Sequence, residues 1–202
     1  MRRGYQCNGA GLCNKAVLNR LWLEPRAELV DYADRGAAIF KAHADVPVAA
    51  LHWGMAVATY PFFGKVTELI GRLSALQGDC ASAEIHRRMS ETYGEREGTY
   101  RMTNMVIQSQ AGWGAVERVE KGKRVIRLAP TIVESDELTT WLIEAALRYA
   151  GKPLAISNLP LQPVLFPFTL AESLAYLVSN SDHLTVRVEG AGVRYVTLGG
   201  VN

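Results

Sequence analysis

Residues 62–128 run FFGKVTELIGRLSALQGDCASAEIHRRMSETYGEREGTYRMTNMVIQSQAGWGAVERVEKGKRVIRL, and their periodicity decides the fold. Phe62, Val66, Leu69, Ile70, Leu73 and Leu76 recur at the i, i+3, i+4 spacing of one buried helix face. Gly78-Asp79 breaks that helix, and a second is predicted over residues 83–89, closed by Tyr93-Gly94. A third begins near Thr99, whose hydroxyl is placed to cap it, and ends at Gly112-Trp113-Gly114. Two β-prone runs follow, 115–119 and 124–128, joined by the hairpin signal Glu120-Lys121-Gly122-Lys123.

Outward from this stretch the chain divides into four parts. Residues 1–14, rich in Gly and Asn and without periodicity, read as a flexible N-terminus. Residues 15–61 read as an N-terminal helical cap packed on the central stretch. In it, Pro25 suits the first turn of a helix burying Leu29, Ala33, Ala37 and Phe40. Residues 47–59 are apolar on nearly every side, as in a helix buried between two bodies. The central part is 62–130, closed by Pro130.

Residues 131–202 read as a C-terminal α+β module. Leu138, Trp141, Leu142, Ala145 and Tyr149 stripe one helix, ended by Gly151. The proline-rich segment 153–168 reads as an irregular connector. Thr169-Leu-Ala-Glu172 fits a capping box opening a helix that buries Leu170, Leu174, Leu177 and Val178. Residues 184–188 and 193–198 alternate around Glu189-Gly190-Ala191-Gly192, a second hairpin. Helix, short element, helix, hairpin is the order already met at 62–128. The tail therefore has two readings, a repeat of that plan or an unrelated α+β tail. The fold class is mainly α with β-hairpins.

Composition excludes several functions. The chain has 202 residues, 49% hydrophobic and 21% charged, as a globular protein has, with a net charge of only +2. Residues 62–130 carry 11 Lys/Arg against 8 Asp/Glu, and residues 131–202 carry 4 against 7. The positive balance thus belongs to the helix–hairpin stretch. Cys7, Cys13 and Cys80 have no zinc spacing, and the odd count predicts reduced thiols in a cytoplasmic protein. No long apolar run follows Arg2 and Arg3, so no signal peptide is expected, and no membrane span is predicted.

Catalysis finds no support in the motifs. His43, His52, His86 and His183 are scattered without metal spacing. No phosphate loop, H-E-x-x-H or nucleophile elbow occurs, so neither metal nor cofactor is expected.

The run Glu84-Ile85-His86-Arg87-Arg88-Met89, then Tyr93-Gly94, Thr99-Tyr100-Arg101, Val106-Ile107-Gln108-Ser109 and Trp113-Gly114-Ala115-Val116, followed by a basic hairpin, resembles the winged helix-turn-helix superfamily. The resemblance covers about a third of the chain. It implies a third helix that reads double-stranded DNA and a wing that touches its backbone, in a protein that dimerises or joins a partner subunit. Arg101, Asn104 and Gln108, at i, i+3 and i+7, would form the outward stripe, with Thr103 beside it. Arg suits guanine, and Asn or Gln suits adenine. Met102, Met105, Val106, Ser109 and Trp113 would point inward. Arg87, Arg88, Arg118, Lys121, Lys123 and Arg124 would contact phosphates. Two plain alternatives stand beside this: a solvated helix face with an ordinary charged hairpin, and a winged helix that docks a protein subunit instead of DNA.

Overall fold

The structure is a computed structural model that describes residues 19–43, 45–171, 173–190 and 192–199. The glycine-rich start of the chain, with Cys7 and Cys13, lies outside the described residues. The architecture is α+β. A turn of 3-10 helix leads into α1 (Val30–Ala42), followed by α2 (Val48–Thr59) and α3 (Pro61–Leu73). Pro61 occupies the first turn of α3, where its missing N–H leaves no hydrogen bond unmade. β1 (Asp79–Ala81), α4 (Ser82–Tyr93), α5 (Glu97–Gly112), β2 (Val116–Val119) and β3 (Arg124–Arg127) complete a first unit. A second unit follows: β4 (Thr131–Ile132), α6 (Asp136–Ala150), β5 (Leu154–Ala155), two 3-10 turns, β6 (Phe168–Thr169), α7 (Leu174–Ser179), β7 (Leu184–Glu189) and β8 (Val193–Leu198).

Both units build their sheet the same way. In the first, β1 and β2 flank β3, all antiparallel, with Cys80 opposite Val125 and Arg118 opposite Val125 on the other side. In the second, β5 and β7 flank β8, with Leu154 and Val186 both opposite Val196. The short strand after the opening helix thus pairs with the last strand of the hairpin in each case.

The apolar spacing of α3 places Val66, Leu69 and Ile70 in the core, with Phe63 buried in place of the half-buried Phe62, against Ile85 and Met89 of α4 and Ile107 of α5. Leu76 was expected on that face and is 98% exposed, because α3 ends at Leu73. Gln110 of α5 is fully buried and donates from Nε2 to Thr67 Oγ1 at 2.8 Å, which pins α5 to α3.

α2 is buried on almost every side and makes its most extensive contact with α6, the opening helix of the second unit. The N-terminal helices therefore bridge both units, where the sequence placed them on the central stretch alone. Trp141 of α6 is the centre of the joint. Its ring stacks on Tyr32 at 4.3 Å, its indole N–H donates to Tyr32 O at 2.9 Å, and Tyr32 Oη donates to Trp141 O at 3.1 Å. A Cβ at Gly36 or Gly54 would stand 2.8 or 2.2 Å from that ring, so α1 and α2 approach α6 at glycines. Beside it, Glu144 is 2% exposed and accepts a two-pronged contact from Arg35, at 2.9 Å each, and two further bonds from Arg148. Burial of a carboxylate is tolerated there because both oxygens are paired. Phe40, expected among the buried residues of α1, is exposed; Tyr32, Gly36 and Ile39 take the inner face instead.

Ser135 caps α6 by accepting from Leu138 N, and Gly151 ends it in the left-handed conformation. The connector 153–168 folds as β5, two 3-10 turns and β6, with the turns bonded locally and the strands paired to β8 and β4. The expected capping box does not open α7. Thr169 sits in β6, paired in parallel with Ile132, and Val133 N donates to Thr169 O, so the helix starts only at Leu174. Leu174, Leu177 and Val178 form its buried face as expected, while Leu170 lies ahead of the helix and is half-buried. Among the described residues no helix is long and apolar enough to cross a membrane.

Candidate nucleic-acid interface

The β2–β3 hairpin lies against α5, and among the described residues Arg118 makes the side-chain hydrogen bonds between them. Arg118 of β2 donates from Nη1 to Gln108 Oε1 at 3.1 Å and from Nη2 to Asn104 Oδ1 at 3.3 Å. The turn that follows crosses the same guanidinium: a Cβ at Gly122 would stand 2.8 Å from Arg118 Nη2. Lys121 and Lys123 flank that glycine and are exposed. The hairpin tip therefore adjoins the α5 stripe that runs from Arg101 through Asn104 to Gln108.

The turn is held in a costly backbone shape. Glu120, Lys121 and Gly122 have φ of 51°, 54° and 84°, three consecutive residues in the left-handed region. For each non-glycine residue this costs about 1–2 kcal/mol. Ser82, at the start of α4, compensates: its hydroxyl donates to Gly122 O at 2.6 Å and its N–H to Lys123 O at 2.8 Å. Sequence spacing gave no sign of this clamp, because it joins residues 40 positions apart.

On α5 the outward stripe is only partly the expected one. Arg101 and Gln108 are exposed and Asn104 is half-buried. Thr103, expected beside them, is 0% exposed, and its hydroxyl donates to Thr99 O at 2.8 Å. It belongs to the core and not to the outward stripe. Thr99 lies inside the helix, and Arg96 occupies the position before its first turn. The helix is consequently rotated from the expected setting. Met102 and Met105, expected inward, are 49% and 44% exposed; Thr99, Thr103, Ile107 and Gln110 replace them in the core. Trp113 packs as expected, edge-on to Trp53 at 6.1 Å and tilted against Phe63 at 5.7 Å.

Tyr100 stacks on His86 of α4, with ring centroids 4.2 Å apart. Burial pushes the His86 imidazole below its ordinary range; a hydrogen bond with Asn104 opposes that shift and the charge of Arg118 adds to it. His86 thus stands neutral at the edge of the stripe at neutral pH.

The six cations expected at phosphates have different surroundings. Arg87 pairs with Glu84 at 2.8 Å and with Glu91, and Arg88 pairs with Glu84 at 2.6 Å. Hydrogen bonds from Arg87 and Arg88 hold the Glu84 carboxyl down at about 2. Arg124 reaches across to Asp79, its Nε 3.0 Å from Oδ2, tying β3 to β1. Arg118 is the brace between hairpin and α5. Carboxylates offset three of the six charges and amides hold a fourth, so the expected cluster is thinner than the residue count implies. Among the described residues Lys121, Lys123 and Arg101 make no ion pair. Arg127, at the end of β3, donates to Phe166 O at 3.0 Å and lies over the Phe166 ring, anchoring the hairpin to the second unit.

Among the described residues no group of three or more His, Cys, Asp or Glu side chains is placed to hold a metal ion. Comparison with known protein families, with curated proteins and with solved structures yields no match.

Proposed function

We propose that the chain is a non-enzymatic DNA-binding protein in which residues 61–127 act as a winged helix-turn-helix. α5 is the reading helix and the β2–β3 turn is the wing. The order helix, strand, helix, helix, hairpin, with the first strand joined to the last, supports this reading of the fold. The same order in the second unit supports a tandem arrangement, with α6 to β8 as a second, reduced copy.

The observation that carries the reading is the Arg118 brace. It sets Lys121 and Lys123 beside the stripe begun by Arg101, so three cations that make no ion pair would serve one surface. A helix stripe that meets base edges, flanked by lysines that meet phosphates, is the division of labour such readers use. As a regulator or the DNA-engaging subunit of a larger assembly, the protein would act as a dimer or with a partner.

A duplex-DNA titration at two salt concentrations tests this. Binding that weakens with salt, and weakens again in R101A, K121A and K123A, is the expected result. Absence of binding at low salt overturns it.

A second reading has its own observation. Tyr100, Met102 and Met105 are exposed on α5, apolar surface suited to a protein partner. Under that reading M102A and M105A abolish partner capture while the three cation variants change nothing.

A further inference from the structure

The sequence assigned the two amides of the stripe to adenine. We infer that the stripe selects guanine instead, because Arg118 turns both amides so that only N–H donors face outward. This rests on the proposed DNA-reading role of α5.

A guanidinium carries donors and no acceptor. Asn104 and Gln108 must therefore offer their carbonyl oxygens to Arg118, and the 3.3 and 3.1 Å contacts to Oδ1 and Oε1 do this. The two NH₂ groups are left to point away from the hairpin. Arg101, three residues before Asn104, adds more donors and is also without an acceptor. The stripe from 101 to 108 spans about 10 Å along the helix axis, close to three base-pair steps.

The base edges in the major groove then differ in fit. Adenine presents an acceptor at N7 and a donor at N6, and an amide pairs with both only when its oxygen and its NH₂ both face the base. Here the oxygens are turned toward Arg118, and N6–H₂ would face another donor. Cytosine presents its N4 donor and fares no better. Guanine presents acceptors at both N7 and O6, and thymine presents O4 alone. A run of guanines is the edge that satisfies every outward donor. Arg118 on this account is a positioning residue: it touches no base and sets which end of each amide does.

The test uses the full chain and duplexes identical except for a central run of guanines or of adenines. Guanine should bind about tenfold tighter, and replacing its N7 by carbon, as 7-deazaguanine, should remove most of that margin. Arg118→Met frees both amide oxygens and should shift preference toward adenine. Because that variant also loosens the hairpin, N104D and Q108E provide a second arm. Both keep an oxygen for Arg118, so the fold stands, yet remove the outward donors and should abolish guanine preference. Equal binding to both duplexes, insensitivity to 7-deazaguanine, or guanine preference surviving in R118M overturns the inference and leaves DNA binding standing. No binding to any duplex at low salt overturns both.

Discussion

The helix before the hairpin is where the two units part. In the first unit α5 runs for 16 residues; in the second α7 has 6. Sheet order is the same in both, and both helices supply a buried face to the core. α7 uses its length on Leu174, Leu177 and Val178, and fewer than two turns remain too short for an i, i+3, i+7 stripe. α5 has surplus length, and its outer side carries Arg101, Asn104 and Gln108. The hairpins differ as well. The first tip carries Lys121 and Lys123, whereas the second mixes Arg187 and Arg194 with Glu189 around a glycine turn. Shared strand order sets where a helix and hairpin meet; the spare helix surface and the sign of the tip decide whether that meeting point has a ligand to offer.

The largest effect tests whether the units are separable at all. Trp141→Ala removes a ring enclosed by α1, α2 and α6 and should cost about 3–5 kcal/mol in denaturant unfolding. Because α2 contacts both α3 and α6, loss should come as one transition. Two transitions, with the first unit persisting, would show that the comparison concerns independent domains.

Next in size is the contrast in binding. The triple variant R101A/K121A/K123A should lose most duplex affinity, with the salt slope falling by about one for each lysine removed. The matched double variant R187A/R194A in the second hairpin should leave binding almost unchanged. Equal losses would rule out the proposed functional asymmetry of the two units.

Ser82→Ala sharpens the comparison at the first hairpin. Removing the hydroxyl bond to Gly122 O should destabilise by about 1–2 kcal/mol, and amide exchange should accelerate at residues 120–123 first. Uniform acceleration across the chain would argue that the left-handed turn needs no clamp.

The smallest effect concerns pH. His52 accepts a hydrogen bond at Nδ1 from Trp22 Nε1 at 3.0 Å, and burial lowers its pKa below 6.5. The unfolded chain then binds a proton that the folded chain refuses. Stability is fully present above pH about 6.5 and declines as pH falls from there toward the depressed folded value. His52→Asn should flatten part of this decline in melting temperature, and the neutral His86 accounts for more of it with the same sign. Melting temperatures that rise on acidification would contradict this assignment.

Much of the fold was legible because it rests on local pattern. The stripes of α3 and α6, the two hairpin signals and the glycine stops fall close to the observed elements. Errors arose where a few residues shifted a helix. Thr99 resembles a cap, but the helix starts at Glu97, so Thr103 turned inward and Met102 and Met105 outward. Thr169-Leu-Ala-Glu172 fits a capping box, yet a parallel strand contact takes the Thr169 backbone first. Glu172 lies outside the described residues.

Sequence by itself determined the number and order of the helices in the first unit, the two hairpins and the positive tip between β2 and β3. Periodicity and turn chemistry act between near neighbours, and composition carries that information directly. Only the tertiary structure decided the identical strand order of the two sheets, the joint around Trp141 and the fate of each cation. Arg87 and Arg88 are offset within their own helix, whereas Arg124 meets its carboxylate across a sheet. Arg118 braces amides on the neighbouring helix, and which donors and acceptors remain for a ligand follows from that brace. Such pairings depend on distances between residues far apart in sequence, and no spacing rule encodes them.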